Sequence, residues 1–194
     1  MKGLLVVISS PSGGGKDSVI NALLKIFKSS TRLVTTTSRP PRPGNKEGVD
    51  YYFISTEEFE KRVAAGGFVE HNIYNGNYYG IEKKNLVKTL EDYNVVLTQI
   101  EVNGKHNLNH KGIDHLSIFL LPEDLEILRK RIEKRGGLTP EQIDERIETA
   151  KKEIKESTDY DYRIVNKEGK LEETVEEVAQ IITKRLDLDK KASI

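Results

Sequence analysis

Cysteine is absent from the 194-residue chain. That excludes a disulfide framework, thiolate zinc sites and cysteine nucleophiles, and is compatible with a reducing compartment. A surplus of either charge is absent too, since 31 Lys and Arg balance 31 Asp and Glu. No overall field draws the chain onto nucleic acid, so any anion site must come from local clusters. Long apolar runs are also missing. The N-terminal run Leu4–Ile8 leads straight into Ser and Gly, far short of a signal segment or a membrane span. The expectation is a soluble, unprocessed, cytoplasmic chain with neither nucleic-acid nor membrane partners, a monomer or a homodimer.

With 36% hydrophobic residues over this length, the chain can bury one sizeable core and is read as one domain. Leu4–Ile8 is a continuous apolar run bounded by turn residues, which predicts a strand buried on both faces. Val19, Ile20, Leu23, Leu24 and Phe27 repeat at helical spacing, so a helix is predicted from about Lys16 to Phe27. Residues 31–56, rich in Thr and Pro, suggest short antiparallel strands and turns outside the sheet core. Further helices are predicted at about 56–65, 82–92, 123–135, 140–157 and the C-terminus. Val95–Leu97, Leu116–Leu120 and Tyr162–Val165 supply further strands, restoring an α/β alternation. His71, His106, His110 and His115 lack metal-ligand clustering, and none is assigned a role.

Ser10-Pro11-Ser12-Gly13-Gly14-Gly15-Lys16-Asp17-Ser18 lies between the first strand and the first helix. There, backbone N–H groups and the helix N-terminus can wrap a polyphosphate while Lys16 supplies charge. Against G-x-x-x-x-G-K-[ST], Gly15 and Lys16 match, Ser10 stands at the first glycine and Asp17 takes the Ser/Thr place. Asp17 either ligates a metal itself, leaves that to Ser18, or simply favours the positive end of the helix.

Beyond this loop, Thr35-Thr36-Thr37-Ser38-Arg39-Pro40-Pro41-Arg42-Pro43-Gly44 and Gly48-Val49-Asp50-Tyr51-Tyr52-Phe53 resemble two motifs of the guanylate kinases. Gly67-Phe68-Val69-Glu70-His71 and Asn75-Gly76-Asn77-Tyr78-Tyr79-Gly80 resemble two more, in the same order. The resemblance implies a P-loop NTPase-type three-layer α/β fold with a parallel central sheet, an inserted mixed α/β acceptor-binding subdomain and a helical lid. The core would take about 1–34, 93–135 and 158–194, the insertion about 35–92 and the lid about 136–157.

It further implies transfer of the γ-phosphoryl of ATP, with Mg²⁺, to GMP or dGMP. Ser10 to Ser18 would hold the ATP phosphates and Asn166 would approach the adenine. Arg39 and Arg42, with the hydroxyls of Tyr51 and Tyr79, would clamp the acceptor phosphate. Glu70 would accept from guanine N1–H and its amine, and Thr35 would reach the base. Where the family has paired aspartates this chain has Gln99 and Glu101, expected on one side of a strand; Asp17 and Glu101 are the candidate metal ligands. Ile81 replaces a usual Ser or Thr. Arg131 and Arg135 share a helix face and Arg146 lies on the next helix; by spacing alone these are ion-paired surface charges. The resemblance instead makes Arg135 and Arg146 lid arginines closing over a Gly136-Gly137 hinge, catalytic with Lys16 and Arg39. Two further readings stay open: a kinase of the same fold with another acceptor such as ribose 1,5-bisphosphate, and a non-catalytic binding module.

Overall fold

Alternate residues of the first strand feed two separate apolar clusters, Leu4, Val6 and Ile8 one of them, Leu5 and Val7 the other. A strand can do this only between two helical layers. The computed structural model describes residues 3–74 and 76–192, apart from the side chains of Tyr74, Arg135, Lys190 and Ala192. In chain order its elements are β1 (Leu4–Ser9), α1 (Lys16–Ile26), β2 (Ser30–Arg32), β3 (Thr35–Thr37), β4 (Tyr51–Phe53), α2 (Thr56–Ala64), β5 (Phe68–Tyr74) and β6 (Asn77–Glu82). Then follow α3 (Lys83–Asp92), β7 (Val95–Thr98), α4 (Val102–His110), β8 (Leu116–Pro122), α5 (Leu125–Arg135), α6 (Pro140–Glu156), β9 (Tyr162–Asn166) and α7 (Leu171–Ala192).

The main sheet has the order β2-β7-β1-β8-β9, every pair parallel. Parallel neighbours need crossovers, and helices supply them. Val19, Ile20 and Leu23 of α1 with Val175, Val178 and Ile182 of α7 cover one face. Leu86 and Leu90 of α3 and Leu108 of α4 cover the other. The three-layer α/β arrangement is therefore as expected, and among the described residues no helix is long and apolar enough to cross a membrane.

A second sheet, β4-β3-β6-β5, stands apart from the first. Phe59 of α2 seals it, fully buried and stacked on Phe68 and Tyr78 with centroids 4.3 and 4.9 Å away. Here two expectations are corrected. Ser30–Arg32 is the edge strand of the main sheet, so the segment outside the core starts later than residue 31. β3 and β4 pair in parallel, because the long loop between them returns the chain to the same end. Strands β5 and β6 had no forecast: their polar and aromatic residues line a cavity and lack apolar alternation.

Helix α4 is the other element without a forecast; Gly104 and three asparagines depress its intrinsic propensity. Packing overrides this through Val102 and Leu108, both buried. His106 and His110 thus sit on a helix. Its Lys105 is 1% exposed and donates to the carbonyl and to Oδ2 of Asp159, each at 2.7 Å. The ammonium also lies 4.9 Å from the Tyr160 ring centroid. Tyr160 donates to Ser9 Oγ at 2.8 Å, and Ser9 in turn to the Ile100 carbonyl at 2.6 Å. The end of α6 is thereby tied to β1 and to the segment after β7.

A buried ammonium without its carboxylate is costly, whereas an exposed carboxylate without its ammonium is not. Asp159→Ala is accordingly expected to lower stability by roughly 2–3 kcal/mol, and Lys105→Met by less, read as urea midpoints at constant slope.

Candidate active site

The turn from β1 to α1 is built around its glycines. Gly15 has φ +90°, a left-handed conformation that L side chains resist, and a Cβ there would lie 2.5 Å from Asn166 Nδ2. Asn166, buried at the end of β9, donates to the Gly14 carbonyl at 2.9 Å and accepts from Thr174 Oγ1 at 3.1 Å. Lys16 reaches back along the loop to the Ser10 carbonyl at 3.2 Å. From α6, Arg146 donates to Ser12 Oγ at 2.7 Å. A cavity of about 670 Å³ lies over this loop, bordered by Ser10, Ser12, Gly13, Gly14, Gly15, Lys16 and Asp17 on one side. Gln142, Arg146, Thr149 and Glu153 of α6 border it on the other. Pro11 of the turn and Ser18 of α1 border neither this cavity nor the next, Ser18 being exposed.

A second cavity, of about 540 Å³, opens between the two sheets. Thr35, Arg39, Arg42, Tyr51, Glu70, Tyr79, Gln99 and Glu101 all line it, with Arg32, Asn72 and Thr98. Arg39 is oriented by bonds to the Pro40 carbonyl at 2.9 Å and Asn45 Oδ1 at 3.0 Å, and its guanidinium stands 5.6 Å from the Tyr51 ring centroid. Tyr51 meets Tyr79 edge-on at 5.9 Å. An irregularity in the β5–β6 pairing between Phe68 and Glu70 turns Glu70 into the cavity while Val69 packs in the core. Lys16, Asp17 and Glu101 border both cavities, so the two meet at the loop lysine. A groove of about 1100 Å³ between α1 and α7 shares no residue with either.

Three carboxylates on the walls of these cavities are pushed toward their neutral forms, chiefly by burial. Glu70 is 4% exposed, and burial, reinforced by Glu101, pushes its pKa up to about 7. Burial likewise raises Glu101, against the pull of Lys16 and of the Asn72 amide, which donates to Glu101 Oε2 at 3.2 Å. Glu153 is pushed up to about 7 by burial and then by Glu101. Gly104 makes room for this crowding, since a Cβ there would lie 2.8 Å from Glu70 Oε1.

The chain matches the family model described as guanylate kinase over residues 2–185. This chain belongs to the guanylate kinase family. It is 43% identical over 182 residues to a guanylate kinase of Latilactobacillus sakei, covering 93% of this chain and 89% of that one. With a guanylate kinase of Rickettsia bellii it shares 38% identity over 181 residues, 93% and 94% of the two chains. Among solved structures it is similar to the crystal structure of guanylate kinase from Anaplasma phagocytophilum, with TM-score 0.73, 32% identity and 95% and 86% of the two chains covered. Its fold is thus that of a P-loop guanylate kinase.

Several expected placements change in this member of the family. Asn166 is buried, with one end of its amide donating to Gly14 and the other accepting from Thr174, so it supports the loop. β7 ends at Thr98 and Glu101 caps α4; Gln99 and Glu101 reach one cavity from a turn, not from a strand. Ile81 is 1% exposed in the apolar cluster with Leu5, Val7 and Leu33, and does not line the cavity. Arg131 pairs with Glu168 at 2.6 Å, away from both cavities. The side chain of Arg135 lies outside the described residues. Asp17, offered as a metal ligand or a helix-end charge, pairs with Arg32. Glu153 was missed, although its spacing from Arg146 and Thr149 puts all three on one face of α6.

A carboxyl whose folded pKa is raised lends stability that is fully present below the unfolded value near 4.5 and is lost as pH rises through about 7. Between pH 8 and pH 5 the ligand-free wild type is therefore expected to gain thermal midpoint relative to Glu70→Gln. Parallel melting curves of the two proteins across that range check the sign.

Proposed function

We propose that this chain transfers the γ-phosphoryl group of ATP to GMP or dGMP, giving ADP and GDP or dGDP. The observation that carries the reading is the meeting of two cavities at Lys16, one over the glycine loop and one between the sheets. In-line transfer needs donor and acceptor phosphates brought face to face, and a loose transition state asks for positioned cations more than for a base. Lys16 and the loop amides hold the donor phosphates, and Arg146, with Arg135, adds charge from the α5–α6 side. Arg39, Arg42, Tyr51 and Tyr79 hold the acceptor phosphate, Arg39 already oriented by its own bonds. Residues 35–92 serve as the acceptor-binding part, 136–157 as the lid and the remainder as the core. The cytosol, where ATP and nucleoside monophosphates coexist, is the compartment that suits it, as a monomer or homodimer free of nucleic acid and membrane.

Glu70 selects the base. A buried carboxylate accepts two bonds from guanine N1–H and the neighbouring amine, whereas adenine presents no such pair of donors. A bare ribose bisphosphate would leave this carboxylate unpaired, which disfavours the alternative acceptor. Thr35 adds a hydroxyl on the same wall.

Mg²⁺ fits as an ion carried by ATP. Among the described residues no group of three or more His, Asp or Glu could hold a metal. The protein therefore offers Glu101 at the junction, Asp17 being engaged by Arg32, and phosphate oxygens and water complete the shell that Mg²⁺ favours. Bound there, the ion would neutralise charge on the transferring phosphates.

ADP release should be seen with GMP and dGMP and not with AMP or ribose phosphates, and Lys16→Ala should lose at least about a hundredfold in kcat. Glu70→Gln is expected to raise KM for GMP roughly 10–100-fold. Because an acceptor that donates two bonds needs the ionised carboxylate, wild-type KM for GMP should climb as pH falls below about 7 more steeply than that of Glu70→Gln, which keeps only the titration of the GMP phosphate. Turnover confined to ribose phosphates would overturn the assignment.

A further inference from the structure

Asp17 places a carboxylate directly after the loop lysine, at the mouth of a cavity read above as the seat of a nucleotide's phosphates. An anion there repels the ligand that the loop amides and Lys16 attract. The structure supplies its counter-charge from another element: Arg32, on the edge strand β2, donates through Nη2 to Asp17 Oδ1 at 2.7 Å. The two side chains are 35% and 58% exposed, and a pair so open to water contributes little to stability. Its place is more informative than its strength. Asp17 borders both cavities, and Arg32 borders the acceptor cavity together with Arg39 and Arg42. Arg32 Nε is moreover buried with no hydrogen-bond partner among the described residues, so the guanidinium is held in place at some cost.

We propose that Arg32 is a positioning residue of the transfer site, which neutralises Asp17 and so keeps the glycine loop open to a polyphosphate anion. The two residues work as one unit: the carboxylate is tolerated after Lys16 only because the guanidinium stands against it. Without Arg32, Asp17 turns its full charge on the incoming phosphates. With a serine at position 17, Arg32 has nothing to cancel and becomes dispensable for the donor. This inference rests on the proposed role of the loop, and its test separates the two.

Affinity for ADP is measured by calorimetry in EDTA, without divalent ions, for the wild type, Arg32→Gln, Asp17→Ser and the double variant. Arg32→Gln is expected to weaken ADP about tenfold at low salt, a defect that shrinks toward 1 M salt as screening sets in. Asp17→Ser should bind at least as well as the wild type, and the double variant should return to within about twofold of it, a strong non-additivity. Arg32→Lys, which keeps the charge, should bind ADP almost normally. Equal losses from Arg32→Gln in the wild-type and Asp17→Ser backgrounds, or no loss in either, would overturn the proposal. Lys16→Ala is the control: if it abolishes ADP binding while Arg32→Gln has no effect, only the role of Arg32 fails. If Lys16→Ala leaves ADP binding intact, the loop is not a phosphate site and the reading beneath it fails as well.

Discussion

The backbone between Ser9 and Lys16 turns along the floor of one cavity, and the rest of the molecule serves to hold that turn. The turn is not self-supporting: the Gly14 carbonyl is fixed by Asn166, which comes from the far edge of the main sheet and is itself fixed by Thr174 of α7. Gly15 is the only residue type that admits this approach at its φ. The order β1-β8-β9 is therefore part of the site, because it sets the distance over which Asn166 must reach. Tyr160 and Ser9 make a second tie at the strand end that feeds the loop. A phosphate seat made of amides needs such bracing, since amides bind an anion well only when they are aimed before it arrives.

The second constraint is electrostatic and runs against stability. Glu70, Glu101 and Glu153 are gathered where burial raises them and where Glu101 makes it harder for the other two to ionise. A core chosen for stability alone would not assemble them, and such local conflict marks sites built for a ligand. In the proposed reaction the missing partners arrive with the substrates: base N–H donors for Glu70, and the metal that accompanies ATP for Glu101.

What could be read from the sequence follows the division between local and distant causes. β1, β7 and β8 are apolar runs between turn residues, and α1, α5 and α6 carry helical periodicity, so their own residues announce them. The eight proposed acceptor residues, scattered from Thr35 to Glu101, were legible only through family motifs, because their convergence depends on how two sheets meet. α4 has a poor helical sequence and is held by packing from outside; β5 and β6 lack alternation because they wall a polar cavity. The partners of Asp17 and Asn166 lie on other elements, and no local pattern pairs position 17 with 32 or 14 with 166.

Positions 81 and 99 show how one departure from a family pattern bears on another. Ile81 adds its side chain to the cluster beneath β1 and gives up any contact with the acceptor. Gln99 removes a negative charge from a wall that already holds Glu70 and Glu101, and supplies an amide able to donate as well as accept. Its Oε1 is buried without a hydrogen-bond partner among the described residues, as is Thr98 Oγ1 beside it. Orphaned polar atoms at the floor of a cavity cost stability unless a ligand satisfies them. Two adjacent orphans at the end of β7, with Arg32 Nε of β2 on the same cavity, mark where the acceptor side has unmet hydrogen-bonding demand.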